Sequence, residues 1–164
     1  MASRAFFDPM TLLRAAPVIS STAALCYSFD QYNFLTNFLR PIHGDYFNES
    51  VPSYFASFFP AGLPQILLFY GISIGTGMAN VSSQPNDAWR WYAAGTALAV
   101  GHFAFVPKIM WAVSALFEEF EDPKGQGNRK LKRWLDIHAV RSFVVDLPAW
   151  VCFSVAALAS LQTV

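Results

Sequence analysis

The sequence predicts an all-α integral membrane protein folded as an antiparallel four-helix bundle. Of its 164 residues, 54% are hydrophobic and only 13% are charged, against about 25% charged in an ordinary soluble domain. A soluble chain of this length could not bury so much apolar surface, because most of its residues would lie near the surface. The apolar stretches are also too long for strands and lack strand alternation, which excludes a β-barrel.

Four apolar segments justify the bundle. They cover about residues 12–38, 54–79, 89–117 and 134–161, and about 20 mostly apolar residues suffice to cross 30 Å of hydrocarbon. Short polar connections separate them, with Pro and Gly in the first and third and Ser-Ser-Gln-Pro-Asn-Asp in the second. Short connections favour antiparallel packing. We therefore expect one transmembrane domain over residues 1–164, with the lipid bilayer as its solvent.

The charge balance and the cysteines exclude several classes of function. Eleven basic residues balance eleven acidic ones, so no net positive field attracts nucleic acid. Cys26 and Cys152 have neither zinc-ligand nor disulfide spacing. A metal site of two histidines and one carboxylate would have to be assembled from distant residues, and no local spacing supports it. The sequence therefore predicts no metal and no cofactor.

The distribution of Lys and Arg predicts the orientation. The side with both termini and the second loop carries Arg4, Arg14 and Arg90. The opposite side carries Arg40, Lys124, Arg129, Lys130, Lys132 and Arg133. Basic residues concentrate on the cytoplasmic side, so we expect a cytoplasmic third loop and lumenal or exterior termini. Of the two Asn-x-Ser sequons, this topology exposes Asn80 to the glycosylation machinery and hides Asn48.

Small residues mark the expected helix contacts. Gly71 and Gly75 on the second segment, and Ala93, Ala97 and Gly101 on the third, recur every four residues. Such spacing lets helix backbones approach closely in lipid. We expect these stripes to pack against each other or a neighbouring helix, and the Gly71/Gly75 face could also join two copies of the chain.

Polar side chains inside the fourth segment predict a site. At 100° per residue, Trp134, His138, Arg141 and Ser142 share one face. Asp146 lies about 80° away from His138 by the same periodicity, too far round to pair with Arg141 within the helix. A charge at membrane depth costs about 2.5–3.5 kcal/mol. Arg141 therefore needs a partner from another helix.

The first segment offers that partner. Asp30 belongs to a polar stripe with Cys26, Asn33 and Asn37, and it is the natural counter-ion for Arg141. The pair could be purely structural, because removing one partner leaves a buried charge unpaired. His102 on the third segment and Gln65 on the second could likewise be structural core residues. Together these polar groups predict a shared polar cavity for a lipophilic substrate.

The closing helix also resembles a known family. The pattern Trp134-Leu135-x-x-His138-Ala139-Val140-Arg141-Ser142, followed by an apolar helix, is similar to that of the small four-span membrane proteins that include fungal anthrone oxygenases. The resemblance implies an enzyme of secondary metabolism that oxidises aromatic polyketides through a carbanion and dioxygen, without metal or flavin. It also implies an endoplasmic reticulum location and places His138 and Arg141 in the active cavity. His138 replaces the more usual Asn, and Asp146 adds an acid.

Three hypotheses follow. In the first, an oxygenase uses His138 as the base and Arg141 to stabilise the oxyanion, with Asp30 or Asp146 orienting them. Its substrate would contact a further set of side chains, namely His102, Trp134, Asn33, Gln65 and Ser142. In the second, the same cavity holds an acid–base cyclase or isomerase with Asp30 or Asp146 as the proton donor. In the third, the protein is a non-catalytic membrane scaffold that binds partners through its Gly71/Gly75 face.

Overall fold

The computed structural model describes residues 8–161, which form a bundle of four long helices. The first two helices are continuous, and the third and fourth each contain an irregular turn in the middle. The segments are α1 (Pro9–Thr36), α2 (Ser50–Ser83), α3 (Trp89–Gly101), a 3₁₀ turn (His102–Phe105), α4 (Val106–Glu121), α5 (Gly127–Arg141), a π turn (Ser142–Asp146) and α6 (Leu147–Leu161). These residues contain no strand. The predicted all-α four-helix fold is confirmed.

All four helices are long and apolar enough to cross a membrane, and they extend beyond the predicted segments. Counted with the 3₁₀ turns that follow α1 (Asn37–Leu39 and Pro41–His43) and precede α3 (Asn86–Ala88), each spans 34 to 36 residues. This length corresponds to about 50 Å at 1.5 Å per residue. The surplus length lies at the end with the first and third loops. There Lys132 and Asp136 form an exposed ion pair of 2.8 Å. Exposed charges are costly in hydrocarbon, so this end lies beyond it.

Two apolar clusters hold the bundle together, one toward each end. The first surrounds Phe55, Leu116 and Leu131 beside the first and third loops. The second surrounds Tyr92 and Phe153 near the termini. The polar side chains of the candidate site lie between the two clusters.

Gly77 and Gly95 lie at close contacts between helices. A Cβ atom on Gly95 would lie 2.8 Å from the ring of Phe153, and one on Gly77 would collide with Thr96. The predicted packing through Gly71 and Gly75 is wrong, because both lie on the outer surface with open space where a side chain would be. The periodicity identified a stripe of small residues but not which side of α2 faces the bundle.

Asn80 joins α1 to α2 at a proline. Pro17 has no N–H to donate to the carbonyl of Leu13 one turn earlier. The Asn80 side chain, fully buried at 0% exposure, donates instead to the Leu13 and Thr76 carbonyls at 2.8 Å each. In the folded protein the Asn80 side chain is therefore inaccessible to the glycosylation machinery, whichever side of the membrane it lies on. Its side-chain nitrogen is a structural hydrogen-bond donor between two helices.

The first and third loops meet at the same end of the bundle. The backbone N–H of Asn128 donates to Asn48 Oδ1 at 3.0 Å, and Asn48 Nδ2 donates to Asp45 at 2.9 Å. Within the third loop, the buried carboxylate of Glu119 accepts from the backbone N–H groups of Lys124 and Gln126 at 2.7 and 2.8 Å. These bonds fix the antiparallel pairing of the helices.

Replacing Asn80 with Leu should lower the free energy of unfolding by about 1–3 kcal/mol, because the Leu13 carbonyl loses its donor. Thermal unfolding in detergent measures the effect, and Asn33→Leu on the exposed side of α1 is the matched control. In a Pro17→Ala background the new N–H can serve Leu13, so the loss should shrink. Equal losses from Asn80→Leu and Asn33→Leu would contradict this assignment.

Candidate active site

Two irregular helical turns meet in the middle of the bundle. The 3₁₀ turn of the third helix precedes Pro107, which cannot donate to the carbonyl of Phe103. The π turn of the fourth helix precedes Pro148, which likewise leaves the Val144 carbonyl without its helical donor. Short 3₁₀ and π segments inside α-helices occur frequently at functional sites. Here His102 begins the 3₁₀ turn and Asp146 ends the π turn.

The π turn brings Asp146 to Arg141. Residues five apart in a regular α-helix point about 140° away from each other, whereas the i→i+5 pattern of a π turn brings them together. Arg141 Nε donates to Asp146 Oδ2 at 3.2 Å, with both side chains buried. The predicted pairing of Arg141 with Asp30 is wrong. That prediction assumed a uniform helical period up to Asp146, which the π turn interrupts. Asp30 itself faces outward.

The other oxygen of Asp146 orients His102. His102 Nδ1 and Asp146 Oδ1 lie 2.9 Å apart, and because a carboxylate accepts, Nδ1 carries the proton of the neutral ring. Tyr70 packs over the His102 ring with centroids 3.8 Å apart. No residue between 8 and 161 forms a hydrogen bond with His102 Nε2. This atom therefore has a free lone pair next to the cavity.

His138 is held on both ring nitrogens. Its Nδ1 accepts from Arg141 Nη2 at 3.1 Å, and its Nε2 donates to the Ser28 carbonyl at 2.9 Å. Trp134 stacks on the ring at 4.7 Å. The side chain is 1% exposed, and both of its hydrogen-bonding positions are occupied by protein. In this arrangement His138 positions Arg141 and has no lone pair to offer a substrate.

A cavity of about 340 Å³ adjoins these residues. Its polar lining comes from Gln31, His102, Trp134 and Arg141, and the rest of the lining is apolar. Arg141 Nη1 makes no hydrogen bond with any described residue. The cavity can therefore present one free base and one free cationic donor to an apolar ligand.

The cavity opens between α2 and the third helix. Five of its lining side chains are also exposed on the outer surface of the bundle: Leu63, Leu67, Phe103, Val106 and Met110. All five are apolar, so the opening faces lipid rather than water. A ligand dissolved in the membrane can reach His102 and Arg141 laterally through this opening.

The other predicted residues divide into two groups. Trp134 lines the cavity, and Ser142 bonds to Ser28 at 2.6 Å beside His138. Asn33 and Gln65 are exposed and lie outside the cluster.

Sequence reasoning missed three residues at the site, namely Ser28, Gln31 and Tyr70. Ser28 and Gln31 are three residues apart and share the buried face of α1, and this helical spacing could have identified them.

No group of three or more His, Cys, Asp or Glu side chains within residues 8–161 is arranged to hold a metal ion. The two buried histidines do not converge on one point, because His102 bonds to Asp146 and His138 bonds to Arg141 and Ser28. The described cluster is a hydrogen-bonded network of side chains.

Relatives of this chain are known in fungi. It is 28% identical over 158 residues to a probable epoxidase of Mollisia scopiformis, a match that covers 92% of this chain and 96% of the relative. It is 26% identical over 161 residues to an epoxidase of an Acremonium species, covering 93% and 96%. It is also 24% identical over 165 residues to an oxaleimides biosynthesis cluster protein of Penicillium oxalicum, covering 93% and 92%.

The chain is thus a homologue of small fungal proteins of secondary metabolism. No family model and no solved structure matches it. The expected resemblance to small four-span fungal proteins is confirmed, although the relatives carry the name epoxidase rather than anthrone oxygenase.

Replacing Asp146 with Ala should destabilise the protein by about 3–5 kcal/mol, because the buried Arg141 guanidinium loses its counter-ion. Asp30→Ala is the matched control and should change stability by less than about 0.5 kcal/mol. Thermal unfolding in detergent compares the two. Adding Arg141→Met to Asp146→Leu should restore most of the loss. A larger loss from Asp30→Ala than from Asp146→Ala would contradict the observed pairing.

Proposed function

We propose that the protein is a membrane-embedded oxidative enzyme that forms an epoxide on a lipophilic secondary metabolite, such as an aromatic polyketide. The observation that carries this proposal is the free Nε2 of His102, oriented by Asp146 at 2.9 Å beside an apolar cavity that opens toward lipid. The epoxidase names of the relatives support the oxidative chemistry.

His102 acts as the general base. A base must lie within hydrogen-bonding reach of the proton that it removes and must have a free lone pair. His102 Nε2 has such a lone pair at the cavity wall. Asp146 holds the ring in the required tautomer, as a carboxylate does in other Asp–His pairs. The base is thus His102 rather than the predicted His138, which supports Arg141 from behind.

Arg141 stabilises the anion that this proton transfer produces. A phenol or enol that loses its proton to His102 leaves a negative charge on oxygen, and a preorganised cationic donor stabilises such a charge strongly in a site that excludes water. Arg141 Nε and Nη2 are fixed by Asp146 and His138. The remaining Nη1 group is free to donate to the oxyanion.

The oxygen step balances with dioxygen as the oxidant. The carbanion form of the substrate anion adds O₂ to give a peroxide anion. This anion attacks a neighbouring conjugated double bond, and the epoxide forms as the O–O bond breaks. The resulting alkoxide takes back the proton from His102. The substrate supplies all the electrons, so one oxygen atom enters the epoxide and the other enters the hydroxyl group.

Exchanging His102 for Gln should lower turnover by about 10²–10⁴-fold, because the general base is lost. His43→Gln, in the exposed first loop, is the matched control and should retain full activity. The measurement is mass spectrometry of metabolites from a producing strain that carries each variant in place of the wild-type gene, supplied with ¹⁸O₂.

Wild-type product levels from His102→Gln at equal protein abundance would refute the assignment of the base. A product with the same elemental composition as its accumulated precursor would instead support the acid–base cyclase or isomerase. Product levels that fall more in Gly71→Leu than in His138→Ala would support the scaffold.

We also propose an endoplasmic reticulum location with a cytoplasmic third loop and lumenal termini. The five basic residues of the third-loop region support this orientation; Arg4, on the opposite side, lies outside the described residues. Lys124 and Asp87 are exposed at opposite ends of the bundle. Self-association through the exposed Gly71/Gly75 face remains a proposal.

In a variant with Ser in place of Cys26 and Cys152, a membrane-impermeant maleimide applied to sealed microsomes should label Lys124→Cys and not Asp87→Cys. The reason is that only the cytoplasmic face of such microsomes is accessible. Labelling of both sites after detergent treatment is the control. The reverse pattern in sealed microsomes would invert the orientation.

A further inference from the structure

Exposed charges on α1 and α5 lie at the same level of the bundle. His138 donates to the Ser28 carbonyl at 2.9 Å, which places these two residues side by side. Asp30 and Asp136 are each two residues further toward the first and third loops, a rise of about 3 Å in both helices, and both are exposed. The two carboxylates therefore share one level on the outer surface.

Lys108 adds a third exposed charge close to this level. His102 and Asp146 lie side by side, with their side chains 2.9 Å apart. Lys108 follows His102 by six residues toward the first and third loops, and His138 precedes Asp146 by eight, which correspond to rises of about 9 and 12 Å. Lys108 thus lies about one helical turn from the level of the two carboxylates, and it is exposed. The name charge ring is used below for Asp30, Lys108 and Asp136.

A belt without exposed charge lies on the other side of the charge ring, toward the termini. Between the ring and the charges at the far end of the bundle, the described helices carry only Arg141 and Asp146, which pair in the interior. Positions 15–29, 64–83 and 91–107 contain no Asp, Glu, Lys or Arg at all. Because an exposed charge is costly in hydrocarbon, this belt is the surface that suits contact with lipid chains.

The length of the belt matches the thickness of a bilayer. Asp30 follows Arg14 by 16 residues, and Lys108 follows Arg90 by 18. These separations correspond to about 24 and 27 Å along a helix, whereas the hydrocarbon core is about 30 Å thick. The charge ring and the two arginines therefore lie where the two boundaries of the hydrocarbon are expected.

The opening of the cavity lies at the boundary marked by the charge ring and extends beneath it. Along the third helix, the edge of the opening runs from Phe103, five residues below Lys108, to Met110, two residues beyond it. These positions correspond to about 8 Å below and 3 Å above the level of Lys108. His102, six residues below Lys108, lies at the depth of the lower edge. The middle of the belt is deeper, near Val100.

We propose that the cavity takes its substrate from the leaflet on the side of the first and third loops, and that this substrate is an amphiphile whose ionisable group lies close to the headgroups. A phenol or enol group is costly to bury in hydrocarbon, so it stays near the surface of the membrane. From there it descends only about 9 Å to reach His102. An apolar molecule without such a group spreads through the middle of the membrane, below the opening.

The substrate class rests on the proposed function, whereas the position of the boundary does not. Both parts can be tested by fluorescence in lipid vesicles, without turnover. A His102→Gln enzyme that stayed active would refute the assigned base and leave these measurements unchanged, so the two failures are distinguishable.

Bimane labels on single cysteines measure the depth of each position. In a background with Ser in place of Cys26 and Cys152, the exposed residues exchanged for Cys are Ala104, Val140, Val100 and Phe120. Ala104 and Val140 are each four residues below a charge of the ring. Their labels should lose more fluorescence to phosphatidylcholine brominated near the headgroup than to one brominated near the chain ends. The label at Val100 should show the reverse order, and the label at Phe120 should respond to neither lipid.

A brominated amphiphile then tests capture at the opening. The probe is 4-dodecylphenol with bromine on both sides of its hydroxyl group, and dodecylbenzene with two bromines on its ring is the control without an ionisable group. The label at Ala104 lies beside the opening, whereas Val140 is at a similar depth and does not line the cavity. The phenol should quench the Ala104 label at about a tenfold lower concentration than the Val140 label, because a charged donor strengthens its binding.

Stronger quenching of the Ala104 label by the deep bromines would overturn the position of the boundary. Equal quenching of the Ala104 and Val140 labels by the phenol would overturn capture at the opening. If brominated dodecylbenzene showed the same tenfold difference, the ionisable group would play no part, and the proposed substrate class would be wrong.

Discussion

The buried ion pair of Arg141 and Asp146 is the constraint on which the rest of the site depends. A charge of either sign alone in this interior would be strongly destabilising, so each group is held by the other at 3.2 Å. Each then uses its remaining hydrogen bonds to orient one histidine: Asp146 fixes His102, and Arg141 fixes His138. Because the pair leaves Nη1 of Arg141 and Nε2 of His102 unused, the same interaction that neutralises the buried charges also defines the two groups offered to a ligand.

The sequence predicts the fold well because a bilayer restricts it strongly. A chain with four long apolar segments and short polar connections has few ways to satisfy its backbone other than as a helical bundle. The buried face of the fourth helix also follows from its period, since Trp134, His138 and Arg141 all lie inside. The direction of the Asp146 side chain cannot be predicted in this way. The π turn between residues 142 and 146 changes the direction in which the later side chains point around the helix axis. Pro148 is a local sign of an irregular turn but does not specify its type.

The polar face of α1 could not be chosen from its sequence for a different reason. This helix has two polar stripes, one with Asp30 and Asn33 and one with Ser28 and Gln31. In a helix that lies wholly in lipid, the charged stripe must face inward, and the predicted Asp30–Arg141 pair follows from that assumption. Asp30 instead lies on the exposed surface of α1, whereas Ser28 and Gln31 are buried against the site. The π turn gives Arg141 a counter-ion in Asp146 on its own helix, so no charge from α1 is needed inside the bundle.

Access from the lipid-facing side also determines how strongly the free groups of the site can act. A substrate that arrives through water must give up strong hydrogen bonds with solvent, which offsets most of what it gains from the protein. A substrate that arrives between Leu63 and Met110 has already left water when it reaches His102 and Arg141. Its polar groups then exchange an apolar environment for a hydrogen bond, and each bond contributes more to binding than it would from water.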